Sequence, residues 1–306
     1  MWKIEKPTFK VDEVFIECIS NYRDNTKNRY LKTRLNSYQS EIEHFSCVYE
    51  NHALDKTFYK LPPDMLITNN EAIVTSEEMK KVYEEKLSRR GQPGRAFYDK
   101  IVVSAKKKCP LCGKVGINNL ELDHHLPKSE YPTLSVTPSN LVPSCSICNK
   151  LKLAKSPKKT DTETIHPYFL DNKKEENSQW LYSKVVPDEN EIPTLIFFVK
   201  SNPKWDRPTV ARIENHFSVF NLAETYNTLA ISDLVDNLGV WVAMYNEAVE
   251  RFDSKFATEI LKDHLTNCAN SYKLINLNYW KFATYEALSK SKWFCSEGFK
   301  NLINIP

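Results

Sequence analysis

CPLCGKVGINNLELDHHLPKSEYPTLSVTPSNLVPSCSICNKLK, residues 109–152, decides the fold. Two Cys-x2-Cys pairs, Cys109/Cys112 and Cys145/Cys148, bracket an acidic and histidine-rich centre. Two thiolates from one tight turn occupy two corners of a tetrahedron, and two such turns close a structural zinc site with no open position. A zinc held this way is not the reacting metal, so the chemistry is expected between the pairs. There lie Asp123, His124, His125 and Asn140, with Asn149 directly after the last cysteine. Carboxylate and amide oxygens are hard ligands suited to Mg2+ or Mn2+. An imidazole titrates near neutrality and can take a proton from water. A divalent cation, a base and surrounding lysines together describe phosphodiester hydrolysis.

The phrases LDHHLPKSEYP and NLVPSCSICNKLK resemble HNH endonucleases, the zinc-stapled form of the ββα-metal nuclease fold. Within that family they are most similar to HNH subunits of bacterial anti-phage systems of the Septu type, including those attached to some retrons. The resemblance implies that Asp123 is the first metal ligand, His124 the general base, Asn140 the residue orienting base and loop, and Asn149 the last metal ligand. It also implies a DNA substrate, an anti-phage role and an ATPase partner. For retron-linked members it implies a reverse transcriptase and its DNA. His125 departs from the apolar or aromatic residue usual at its position, and its role stays open. Strand alternation sends it to the face opposite His124, toward packing. RNA such as tRNA is the alternative substrate, and a non-catalytic zinc adaptor for nucleic acid the alternative function.

Charge distribution agrees with a phosphate-binding surface. The whole chain of 306 residues carries only +3, but residues 101–160 hold ten lysines, no arginine and three acids, a net +7 that leaves −4 elsewhere. Lys128 and Lys152 are the expected phosphate contacts. The other cysteines, Cys18, Cys47, Cys268 and Cys295, sit among apolar residues and are expected as reduced core residues. No signal-like or membrane-length apolar run occurs, so the expected location is the cytoplasm, with no membrane partner.

Around the motif the chain is mostly helical by pattern. Residues 9–20 and 27–50 carry helical apolar stripes, and the second bears a basic face suited to phosphate, a partner or solvent. Thr75-Ser76-Glu77-Glu78 is a capping box opening a helix to about Arg90. Gly91-Gln92-Pro93-Gly94 closes it as a C-cap and turn. Strands are expected at 120–124 and 139–143, with a helix from Cys148. Residues 156–178 look loop-like, with His166 in a buried turn. A hairpin follows at 180–186 and 194–200, then helices from Thr209 onward. The expected class is α+β, mainly helical, with the ββα-metal unit inserted between helical flanks: 1–94 N-terminal, 95–178 nuclease, 179–306 C-terminal.

Overall fold

The computed structural model describes residues 2–63, 74–153, 156–170 and 177–304. They form two compact units, Met1–Leu170 and Asp171–Pro306. Both are mainly helical with small antiparallel sheets, as the pattern predicts.

In the first unit, α1 (Val11–Ile19), α2 (Leu31–Ser37), α3 (Gln39–Asp55), α4 (Ser76–Lys81) and α5 (Arg95–Ser104) precede the motif. The stripe expected as one helix over 27–50 is two helices broken at Tyr38, whose ring is buried and whose hydroxyl bonds Thr133 Oγ1 at 2.9 Å. Arg34 on the basic face pairs with Glu78 of α4. The predicted capping box is present: Thr75 Oγ1 accepts from Glu78 N and Glu78 Oε2 from Thr75 N. Instead of running on as α-helix to Arg90, the chain widens after Lys81 into a π-helix, Val82–Leu87, with Ser88 N donating to Tyr83 O at 2.8 Å. The turn after it uses Gly91 at φ 76°, and Gly94 allows close approach: a Cβ there would meet Cys18 Sγ at 2.4 Å.

β1 (Glu121–His124) and β2 (Leu141–Ser144) pair antiparallel, Asp123 opposite Val142 and His124 opposite Leu141. α6 (Ser146–Lys152) follows. It starts two residues earlier than expected because Cys145 is its N-cap, the sulfur accepting from Cys148 N at 3.5 Å. The small hairpin does not stand alone. Leu122 and Leu141 pack into one core with Phe15, Leu35, Ile42, Met79 and Leu87 from the preceding helices. Burying each such side chain contributes roughly 1.5–3 kcal/mol. The long loop between the strands joins a second core, Leu126, Tyr131 and Leu134 against Tyr49 and Phe58.

The second unit contains the expected hairpin, β3 (Leu181–Pro187) with β4 (Pro193–Val199). It is followed by α7 (Arg207–Val219), α8 (Leu222–Arg251), α9 (Ser254–Ile275), α10 (Trp280–Lys290) and α11 (Lys292–Ser296). Asn278 holds the hairpin's start, its Oδ1 accepting from Trp180 N at 2.7 Å and Leu181 N at 3.1 Å. Among the described residues, no helix is long and apolar enough to cross a membrane.

Candidate active site and metal centre

The four cysteines converge as their spacing predicts. Their sulfurs lie within 4.8 Å of one another, all four residues are buried, and none is in a disulfide. The first knuckle turns on Gly113 at φ 77°, with Cys109 O accepting from Gly113 N at 2.8 Å. Trp2 braces it, Nε1 donating to Gly113 O at 2.9 Å. The sulfurs are close enough to bond one another, Cys112 Sγ lying 3.9 Å from Cys145 Sγ. Four soft donors at tetrahedral reach fit zinc, and leave no open position for a substrate.

Of the expected site residues, Asp123, His124, Lys128 and Asn149 line one pocket of about 610 Å³ at the end of β1, together with Tyr83, Tyr98 and Glu121. His124 is only 7% exposed. Its Nε2 is 2.8 Å from Ser135 O, and a carbonyl can only accept, so Nε2 carries the proton and Nδ1 the lone pair. Burial, aided by the charges of Lys128 and Lys152, drops the His124 pKa from 6.5 to about 3, so the ring is neutral at ordinary pH. The ring of Tyr83 meets it edge-on at 4.4 Å, and Tyr83 Oη donates to Leu122 O at 3.1 Å. Asp123 is also largely enclosed. Burial raises its pKa, and Lys152, with Nζ 3.3 Å from Oδ2, opposes that shift.

Asn140 is fully buried and ties the interstrand loop: Oδ1 accepts from Leu126 N at 2.8 Å, while Nδ2 donates to Leu126 O at 3.0 Å and Leu134 O at 3.3 Å. Asn149 reaches the pocket from α6, and its Nδ2 donates to Glu121 Oε2 at 2.7 Å. Lys128 lines the pocket half-exposed and pairs with Glu84 at 2.5 Å. Lys152, expected as a phosphate contact, is instead 5% exposed, its ammonium on Asp123 and on His124 O at 2.5 Å. Three residues after Asn149 on a helix, it shares Asn149's inward face.

His125 does point away from His124. It stacks 4.2 Å from the ring of His166 and 5.0 Å from Phe58, in the core behind the pocket. His166 Nδ1 accepts from Tyr168 N at 3.2 Å, so its Nε2–H faces Tyr49 Oη at 2.8 Å. Sequence reasoning missed Glu121 and Tyr83. Glu121 had a signal, since it lies two residues before Asp123 on a strand and so shares its face. Tyr83 had none.

Residues 109–155 match the HNH endonuclease family. They thus form an HNH domain, which supports a nuclease function. Beyond the domain, the chain is 28% identical over 305 residues to "Protein ea31" of Escherichia phage lambda, an alignment covering 96% of this chain and 99% of that one. No solved structure matches the chain significantly.

Proposed function

We propose that the protein is an endonuclease that cuts DNA with a single Mg2+ or Mn2+, using His124 as base. The observation that carries this is the tautomer of His124: Nε2 is committed to Ser135 O, so Nδ1 is the acceptor, in the same pocket as Asp123 and Asn149. Asp123 and Asn149 supply the hard oxygen donors such an ion takes. The bound ion would stabilise charge on the phosphate and on the departing 3′ oxygen. His124 Nδ1 removes a proton from water, whose oxygen then attacks phosphorus in line. Tyr83 and Ser135 keep the ring from rotating, and Asn140 keeps the loop bearing Ser135 in place. Lys128, which lines the pocket, would meet a phosphate. Incubating the zinc-loaded protein with plasmid DNA and with tRNA tests this. Cleavage of DNA that stops with EDTA, returns with Mg2+ or Mn2+ and is lost in His124→Ala supports it. Cleavage of tRNA alone, or binding without cleavage, replaces it with the RNA or adaptor reading.

The motif's similarity to Septu-type subunits supports an anti-phage effector that works with an ATPase. The domain occupies 47 residues of 306, leaving helical flanks for docking. Co-expression with the neighbouring gene product should give a stable complex. Separate elution at micromolar concentration, with or without nucleotide, would remove the partner.

A further inference from the structure

Asn149 presents a problem that the motif alone leaves unsolved. Its side chain ends in an oxygen and an amide nitrogen of nearly equal size, interchanged by a half-turn about one bond. Only the oxygen has a lone pair for a hard cation; the nitrogen is a donor. A site that uses asparagine as a ligand must therefore set the amide's orientation.

We propose that Glu121 is the positioning residue that does this: by accepting from Asn149 Nδ2 it turns Asn149 Oδ1 toward the catalytic cation. The contact is 2.7 Å, and an ionised carboxylate can only accept, so the nitrogen must face Glu121 and the oxygen the other way. A hydrogen bond to a charged acceptor is about twice as strong as one between neutral groups, enough to select one of two rotated forms. The backbone arranges the pairing. Glu121 and Asp123 share one face of β1, two residues being roughly 6.7 Å apart. Asn149 and Lys152 share one face of α6, three residues being roughly 4.5 Å apart. The two rows therefore meet as two pairs, Asn149 on Glu121 and Lys152 on Asp123. Glu121 is otherwise exposed at the pocket wall, with no packing role that would explain a carboxylate there.

This rests on the reading of Asp123 and Asn149 as metal ligands, and the test separates the two. Mn2+ binding to the zinc-loaded full chain is measured by calorimetry for wild type, Asp123→Ala, Glu121→Gln, Asn149→Asp and the double variant Glu121→Gln/Asn149→Asp, with zinc content and thermal melting as fold controls. Glutamine offers a donor as well as an acceptor and no longer selects the amide's orientation. Glu121→Gln should weaken Mn2+ binding about 10-fold or more, the usual cost of losing a group that orients a ligand. In the Asn149→Asp background the two oxygens are equivalent and no orientation is needed. There the same change should weaken binding clearly less, because only the loss of one nearby charge remains. Equal weakening in both backgrounds would make Glu121 a direct ligand or a mere source of charge and overturn the proposal. Unchanged binding in Glu121→Gln would overturn it while the ligand reading survives. Wild-type binding that Asp123→Ala does not diminish would overturn both.

Discussion

Asn140→Ala removes a residue that is wholly buried and is neither one of the four cysteines nor part of the pocket lining. Its amide makes three hydrogen bonds, and alanine leaves Leu126 N, Leu126 O and Leu134 O without that partner. Leu134 O keeps Thr137 N at 3.2 Å, so two buried groups lose a partner, and each costs about 1–3 kcal/mol. The expected destabilisation of the first unit is therefore about 2–6 kcal/mol, large beside a typical total of about 5–15 kcal/mol. Asn140→Asp should be worse than alanine, since it sets a buried carboxylate oxygen against two carbonyls. Urea unfolding followed by hydrogen exchange of the segment 125–140 measures this locally. The Leu126 amide, protected in wild type by Asn140 Oδ1, should exchange early in the variant. Cleavage should fall as well, because Ser135, which holds His124, lies in that loop. A change under about 1 kcal/mol with Leu126 still protected would refute the idea that one side chain closes the loop.

The purified protein should contain about one zinc per chain, since four thiolates close one tetrahedral site. Cys148→Ser should lose zinc and yield insoluble or protease-sensitive protein, and elemental analysis finding soluble, active, zinc-free protein contradicts this. His124→Ala should lower the cleavage rate about 10²–10⁴-fold with zinc content unchanged; equal rates in wild type and variant would move the base elsewhere. Burial lowers the His166 pKa from 6.5 to about 3. The unfolded chain therefore binds the proton first. The stabilisation is present above about 6.5 and drains away as pH falls from there toward 3, by about 1.4 kcal/mol per pH unit. His166→Gln should therefore lose stability less steeply between pH 6.5 and 5 than wild type, and parallel curves in denaturant titrations would show the histidine to be irrelevant. Lys128→Ala should reduce the slope of log K against log salt for DNA binding by about one; an unchanged slope returns it to its pairing with Glu84.

What was legible in the sequence was what adjacent residues determine. Cysteine spacing brought four sulfurs together, alternation in Leu120–His124 placed a strand, and Thr75 with Glu78 announced a helix start. What stayed hidden depends on distant partners. No glycine or proline marks the break at Tyr38, where the ring is drawn into the core and the hydroxyl to Thr133, 95 residues away. Lys152 looked like a surface lysine because composition cannot tell an ammonium in solvent from one buried on Asp123. Tyr83 is invisible for the same reason: its place on His124 is set by a helix 41 residues earlier in the chain.

That helix also carries a genetic consequence. The six residues VYEEKL of Val82–Leu87 contain neither glycine nor proline, and by propensity they would sit well in an ordinary α-helix. The wide turn holds one residue more than an α-turn would, and it carries Tyr83, whose ring lies edge-on to His124. Deleting any single codon here would restore regular winding and leave a helix at least as good. It would also rotate one side relative to the other by about 100°, parting Tyr83 and His124 from the Leu87 side of the core. Point changes at the exposed Glu85 should pass unnoticed, whereas one-codon gaps should be lethal to activity. Length, more than composition, is what natural variation must preserve in this segment.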